Sequence, residues 1–230
     1  MSKVYQQVTQ RLKTNGVRYY ASDNIAEHIS DTERQLIIDE LTEKFEGVLD
    51  ALIIDSKDPN SADTPRRLAK MYINEIMRGR YYPAPSVTAF PNDDPNPSNR
   101  YSGIITVRTE LLSVCSHHHQ PVKGVCFIGL IPSTRVIGLS KYSRIVKHLA
   151  ARGTLQEQLT NDVADAIIKH TGSTDVAVHI AAEHGCMVHR GIEAHSSLTQ
   201  TTVLRGQFFK HDIKDEFLKY LQMQQQHARP

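Results

Sequence analysis

Apolar residues recur at the three-to-four-residue spacing of amphipathic helices in two stretches of the first half of the chain. The first stretch follows Ser30 and Glu33, which can form a capping box, and it predicts a helix over about residues 31–54. The second runs from about residue 64, where a threonine N-cap is followed by proline, to about residue 79. We expect the two helices to form an antiparallel pair.

The segments on either side of these helices lack such a pattern. Residues 1–30 are polar without a sustained period, which indicates a loosely attached N-terminal arm. Residues 80–101 hold five prolines, which is typical of a loop. We therefore expect three parts: the arm at 1–30, a helical region with a Pro-rich linker at 31–100, and the main domain at 101–230.

In the second half of the chain, two apolar runs predict consecutive strands. Two helices should follow, one opened by Ser140 and one opened by Thr154 that ends at Gly172. A clean alternation over residues 176–183 predicts a third strand, and residues 201–204 predict a fourth before a polar C-terminal helix. This order of elements is typical of an α+β domain with an antiparallel sheet backed by helices.

Composition narrows the class of protein. With 230 residues, of which 40% are hydrophobic, the chain can form one large globular domain or one domain with an N-terminal appendage. Three cysteines and no apolar N-terminal stretch favour a reducing compartment, so we expect a cytoplasmic protein. No segment approaches a membrane span in length, and a net charge of +2 argues against binding nucleic acid through bulk charge.

Two short motifs have the composition of a transition-metal site. Cys115 and His118 converge if the chain turns between them, whereas His184 and Cys186 share a face of an extended strand. Thiolates and imidazoles suit Zn²⁺, which in catalytic sites keeps three protein ligands and one open position. The alternative is chance packing of small buried cysteines, and Cys126, in an apolar run, is expected to be such a core residue. The motifs alone leave open a cage of four ligands.

Five blocks of sequence together resemble one known family, GTP cyclohydrolase I. They are Thr-Pro-Arg-Arg-Leu-Ala-Lys-Met-Tyr at 64–72, Cys-Ser-His-His-His at 115–119, Val-Ile-Gly-Leu-Ser-Lys-Tyr-Ser-Arg-Ile-Val at 136–146, Leu-Gln-Glu-Gln-Leu-Thr at 155–160 and Glu-His-Gly-Cys-Met-Val-His-Arg-Gly-Ile at 183–192. The resemblance covers about residues 30–220 in the order of the family.

The resemblance implies a fold, an assembly and a reaction. The fold is the T-fold, a four-stranded antiparallel sheet with two helices on one face, preceded by an N-terminal helical region. The assembly is a homodecamer of two pentamers, with active sites at subunit boundaries. The reaction is the hydrolysis of GTP to 7,8-dihydroneopterin triphosphate and formate, the first step of pterin, folate or deazaguanine biosynthesis.

The resemblance also implies a role for individual residues. It implies that Cys115, His118 and Cys186 are the zinc ligands and that His184 is an acid/base group and not a fourth ligand. It further implies that His117 assists later proton transfers and that Gln156 helps to position the base or the water. Substrate contacts are implied for Glu157 on the guanine, for Ser140, Lys141, Arg144 and Arg190 on the triphosphate side, and for Arg67 from a neighbouring subunit.

Several of these residues have an ordinary structural interpretation. Ser140 fits an N-cap, and Thr154 with Glu157 fits a capping box. Without the family match, Lys141 and Arg144 fit a solvated helix face.

The chain departs from the family pattern at Ser116, where the family commonly has glutamate. A serine cannot act as a carboxylate base or acceptor. The alternative function is therefore a catalytically impaired ring protein of the T-fold that binds a purine or pterin. A structural zinc site in a protein with another activity is the third hypothesis.

Overall fold

The computed structural model describes residues 2–226, and the chain divides into two compact units. The first unit contains the residues up to Pro83 together with Ala151–Gly153, and the second contains Ala84–Ala150 and the residues from Thr154 onward. The division falls after Pro83 and not at residues 30 and 100, where the sequence pattern places boundaries. None of the helices within residues 2–226 is long and apolar enough to cross a membrane.

The first unit is helical. Its elements are α1 (Lys3–Thr14), a 3₁₀ turn (Ala26–His28), α2 (Asp31–Ala51), α3 (Thr64–Met71), a π-helical segment (Tyr72–Ile76) and α4 (Arg78–Tyr81). The predicted capping box forms at the start of α2, where Ser30 accepts from the Glu33 backbone and the Glu33 carboxylate accepts from the Ser30 backbone. The predicted helix starting near residue 64 also forms, although its N-cap is Asp63.

Residues 2–30 contain a helix and a buried apolar cluster, in contrast to the loosely attached arm that the sequence predicts. Val4, Val8 and Leu12 lie on one side of α1 and are buried in a cluster with Ile25 and Ile29. The three apolar residues recur every four positions, which is the spacing of one helix face, but they are embedded in a polar sequence. A second cluster, formed by Ile38 of α2 with Ala69 and Ile73, packs α2 against the following helix.

The second unit contains most of the strands. Its elements are β1 (Ala89–Pro91), a 3₁₀ turn (Pro97–Asn99), β2 (Ile105–Cys115), β3 (Pro121–Leu130), β4 (Arg135–Ile137), α5 (Leu139–Ala150), β5 (Gly153–Thr154, at the division between the units), α6 (Gln156–Thr171), β6 (Val176–His184), α7 (Gly185–Val188), β7 (Thr199–Leu204), a 3₁₀ turn (Gly206–Phe209) and α8 (His211–Gln226). The predicted strands and helices of this half are all present, with shifts of a few residues at their ends.

The main sheet has the strand order β5-β2-β3-β6-β7 within the described residues. The four longer strands pair antiparallel, β2 with β3, β3 with β6 and β6 with β7. The expected four-stranded sheet therefore gains the two-residue strand β5 at its edge. β1 pairs with β4 outside this sheet. β1 lies within the segment predicted to be a loop, and β4 lies after it.

Both faces of the sheet are covered. On one face, Ile180 of β6 and Val146 of α5 belong to the large cluster that also contains α6 residues. On the other face, Ala177 of β6 packs with Phe208 and with Phe217 of α8. Because neighbouring residues of a strand point to opposite faces, the alternation along β6 separates two cores, and it does not separate a core from solvent.

Two predicted helix caps are wrong. α5 already begins at Leu139, so Ser140 lies inside the helix and is not its cap. α6 begins at Gln156 with Leu155 as N-cap and no side-chain cap hydrogen bond, so Thr154 and Glu157 do not form a capping box. The carboxylate of Glu157 is therefore not used to close the first turn of α6.

In the first unit, the Glu33 carboxylate joins α1 to α2, and its removal should lower stability. It receives two hydrogen bonds from Arg11, at 2.9 and 2.7 Å, as well as the capping bond from Ser30. The Arg11 hydrogen bonds are the largest cause that lowers the pKa of Glu33 to about 2. We expect Glu33→Gln to lower the free energy of unfolding at pH 7 by about 1 kcal/mol, a value that allows for solvent screening.

The loss of unfolding free energy in Glu33→Gln should become smaller as the pH falls. The native pKa lies below the unfolded value of about 4.3, so the contribution is complete above about pH 5 and decreases as the pH falls toward 2. Urea unfolding at pH 7 and at pH 3.5 should show a smaller difference between variant and wild type at the lower pH. Glu46→Gln, an exposed position on α2, is the control. Equal losses in both variants would contradict the assignment.

Candidate active site

The first half of the site is the connection between β2 and β3. Strand β2 ends at the buried Cys115, and residues 116–118 form a turn. The turn is closed by two backbone hydrogen bonds, from Cys115 to the Gln120 carbonyl and from His119 to the Cys115 carbonyl, both 2.9 Å. The predicted reversal between Cys115 and His118 is therefore present, and it brings the imidazole back toward the thiol.

The second half of the site is the end of β6. The strand ends at His184, and Cys186 lies in the short helix α7, so the prediction that both residues share a face of a strand is wrong. The chain leaves the strand at Gly185, where a Cβ atom would lie 2.9 Å from the carbonyl oxygen of Pro121. A glycine at this position permits the close approach of α7 to β3.

The two halves meet because β2 and β6 both pair with β3. Val114 is opposite Pro121, and the adjacent Val122 is opposite His184, so the ends of β2 and β6 lie at the same end of the sheet. The Sγ atoms of Cys115 and Cys186 and a ring nitrogen of His118 all lie within 4.8 Å of one another. This group of two thiols and one imidazole can hold a metal ion.

The thiols of this group differ from the third cysteine. Cys126 is fully buried in the core, as predicted, and burial raises the pKa of its thiol to about 12. Cys186 is half-buried, and the pKa of its thiol is raised by burial and then by the neighbouring Cys115, against the opposing charge of Arg190. A bound cation would stabilise the thiolates and offset both effects.

His184 is the last residue of β6, two residues before Cys186, and its side chain is hydrogen-bonded to the start of α6. Its Nε2 atom lies 2.7 Å from Oε1 of Gln156. Burial lowers the pKa of His184, while the charge of Glu157 acts in the opposite direction. The lowered pKa favours the neutral ring near pH 7, which is the form that accepts a proton.

Gln156 has a place in the structure that the sequence does not predict. Its side chain is 5% exposed, and its Nε2 atom lies within 3.3 Å of the carbonyl oxygens of Ile180 and Thr199 and within 3.2 Å of the Thr201 hydroxyl. The amide therefore links the imidazole of His184 to the backbone of β6 and β7. The threonines of β7 were missed because their only signal is an alternating strand pattern.

The cationic candidates lie on several elements. Lys141 and Arg144 are on α5, where the Lys141 ammonium donates to the carbonyl oxygen of Ser86 at 2.9 Å and Arg144 is exposed. Arg190 follows α7 and is exposed. Arg67 belongs to the first unit, where it lies on α3 with Nη2 at 3.4 Å from Asp63.

The remaining candidates flank the metal-binding group. His117 is exposed, with Nδ1 at 3.9 Å from the Cys115 sulfur, and the half-buried Ser116 lies between them in sequence. Ser140 is exposed in the first turn of α5, and Glu157 is exposed in the first turn of α6.

Comparison with known proteins gives one consistent result. The family model described as GTP cyclohydrolase I matches residues 41–222. The chain is 35% identical to the GTP cyclohydrolase 1 of Erwinia tasmaniensis, over 92% of this chain and 93% of that protein. It is 39% identical to the GTP cyclohydrolase 1 of Aeromonas hydrophila subsp. hydrophila, over 76% of this chain and 82% of that protein.

Among solved structures, the chain resembles one described as the archaeosine synthase QueF-Like in the apo form. The sequences are 16% identical, the match covers 44% of this chain and 90% of that chain, and the TM-score is 0.37.

The geometry predicts which cysteines hold a metal. We expect Cys115→Ser, His118→Asn and Cys186→Ser each to weaken the binding of a divalent transition metal by at least about tenfold, since each removes a donor atom. Chelator competition measures the affinity, and circular dichroism should show that the fold is kept. Cys126→Ala is the control and should bind metal as the wild type does. An unfolded Cys115→Ser protein would instead indicate a structural site.

Proposed function

The chain belongs to the GTP cyclohydrolase I family, and we propose that it hydrolyses GTP to 7,8-dihydroneopterin triphosphate and formate with a bound Zn²⁺ ion. The observation that carries the proposal is the juxtaposition of the Cys115, His118 and Cys186 donor atoms with the imidazole of His184 at one end of the sheet. The product would enter pterin, folate or deazaguanine biosynthesis.

The donor set fits zinc. Two sulfurs and one imidazole nitrogen, gathered within 4.8 Å, are ligands that zinc prefers, and three protein ligands are typical of catalytic sites. When bound, the ion acts as a Lewis acid and lowers the pKa of a coordinated water to ~7. His118 is exposed, so this side of the group is accessible to a substrate.

His184 is suited to the proton transfers of the reaction. Opening the imidazole ring of guanine requires a proton on the departing nitrogen, and a group near the metal must supply it. The lowered pKa of His184 keeps the ring neutral in the resting protein and makes its protonated form a stronger acid. We infer that His117, whose Nδ1 lies 3.9 Å from the Cys115 sulfur, assists the later proton transfers.

Glu157 is proposed to bind the guanine base. Guanine presents N1–H and an amino group side by side, and a carboxylate offers two acceptor oxygens to such a pair. Because Leu155 caps α6 without a side-chain hydrogen bond, the Glu157 carboxylate is not used by the helix. Its negative charge acts against the lowering of the pKa of His184, which supports a role for Glu157 near this histidine.

The triphosphate is assigned to cations around this site. We infer that Lys141, Arg144 and Arg190 neutralise its charge and that Ser140 donates a hydrogen bond, since guanidinium groups bind phosphates through paired donors. Arg67 is proposed to act from a neighbouring subunit of a T-fold homodecamer built from two pentamers. The family supports this assembly, in which active sites lie at subunit boundaries.

The direct test is turnover. Zinc-loaded protein incubated with GTP should release formate and, after oxidation, a fluorescent pterin in equal amounts. His184→Gln should lower kcat by at least about 100-fold because proton transfer is lost, while zinc stays bound. His189→Gln, an exposed histidine beyond α7, is the control and should keep wild-type kcat. Absence of both products from the zinc-loaded wild type would refute the proposal.

Ser116 provides the test of the second candidate, a purine- or pterin-binding protein without turnover. We expect the wild type to turn over GTP, and Ser116→Glu to keep its zinc stoichiometry and raise kcat, because a carboxylate beside the metal adds a proton acceptor. Ser116→Ala is the control for loss of the hydroxyl. GTP binding measured by calorimetry, without product from either the wild type or Ser116→Glu, would favour the binding protein.

A further inference from the structure

The amide of Gln156 has only one chemically consistent orientation. Its inner end lies against the carbonyl oxygens of Ile180 and Thr199, at 3.3 and 3.1 Å, and carbonyl oxygens only accept hydrogen bonds. The NH₂ group must therefore be at this end, and the carbonyl oxygen of the amide must face His184. An acceptor at 2.7 Å from Nε2 requires a proton on Nε2.

Two threonines complete the same network, and the direction of each hydrogen bond follows by elimination. The Thr160 hydroxyl lies 2.7 Å from the backbone carbonyl of Gln156, so its single proton is used there. The Thr201 hydroxyl, 2.7 Å from Thr160, must then be the donor to Thr160. The lone pairs of Thr201 are left to accept from the NH₂ group of Gln156 at 3.2 Å, so the two N–H bonds of that group are shared among three acceptors.

The register of the sheet places Thr201 in this network. Thr201 is opposite Ile180 in the pairing of β7 with β6, so its side chain points to the face on which α6 packs. Thr160 and Gln156 are four residues apart on α6 and lie on one side of that helix. The adjacent Thr202 points to the other face, where its hydroxyl lies 2.8 Å from Nδ1 of His179.

We propose that Gln156, whose amide is steadied by Thr201, is a positioning residue that holds His184 in the tautomer with the proton on Nε2, so that Nδ1 exchanges protons with the substrate. Gln156 is then a support for the imidazole and not a ligand of the base or the water. The inference rests on the proposed function, because it assigns the atom through which His184 would act.

The kinetic test compares matched threonine variants of the zinc-loaded enzyme. Thr201→Val should lower kcat for GTP about tenfold with KM within about twofold of wild type, as is common for groups that orient a catalytic side chain. Thr201→Ser keeps the hydroxyl and should restore wild-type kcat. Thr202→Val removes the neighbouring hydroxyl from the other face and should leave kcat unchanged. Equal effects of Thr201→Val and Thr202→Val, or no rescue by serine, would overturn the proposal.

The tautomer itself is measured by ¹⁵N solid-state NMR of zinc-loaded protein labelled at the histidine rings, with the His184 signals assigned from the His184→Gln spectrum. We expect the wild type and Thr201→Val both to show protonated Nε2 and bare Nδ1, because the carbonyl oxygens of Ile180 and Thr199 still orient the amide. Gln156→Met, which removes the acceptor facing Nε2, should show a fraction with the proton on Nδ1. A wild-type His184 protonated on Nδ1 alone would overturn the inference. This readout needs no turnover, so an inactive wild type with the expected tautomer would refute only the proposed function.

Discussion

The pairing of β3 with two neighbours is the constraint on which the candidate site depends. The register that sets Val114 opposite Pro121 also sets Val122 opposite His184, so one strand fixes the ends of β2 and β6 together. A slip of one residue would point each side chain to the other face of the sheet and separate Cys115 from Cys186. The backbone hydrogen bonds of the sheet thus fix the positions of the metal-binding residues, and they hold the backbone more rigidly than solvent holds the exposed side chain of His118.

At the same end of the sheet, a buried core residue contacts a residue of the candidate active site. Gln156 is buried at the start of α6, and its amide contacts β6, β7 and the imidazole of His184 at once. A buried polar side chain is tolerated there because each of its hydrogen-bonding groups has a partner. The hydrogen bonds that hold His184 are therefore part of the packing between α6 and the sheet, while Cys115 lies at the end of β2 and Cys186 lies in α7, just after β6.

Local patterns were predictable from the sequence, and arrangements that join distant segments were not. The capping box at Ser30 and Glu33 depends on four consecutive residues and forms as predicted. The similar pattern at Thr154 and Glu157 does not form, because the N-cap is Leu155, one residue later, and the helix begins at Gln156, which contacts the sheet. α1 was missed because its few apolar residues are diluted by polar ones. The turn at Gly185 and the threonines around Gln156 depend on contacts across the sheet that no local period records.

The central claim is an open zinc site with three protein ligands, and X-ray absorption spectroscopy at the zinc edge tests it most directly. In the zinc-loaded protein, we expect two sulfur neighbours at about 2.3 Å and two nitrogen or oxygen neighbours at about 2.0–2.1 Å, only one of which has the outer-shell scattering of an imidazole. Replacing His184 by glutamine should leave this spectrum unchanged. Two imidazoles in the wild type, with one lost in the His184 variant, would instead show a closed cage of four protein ligands.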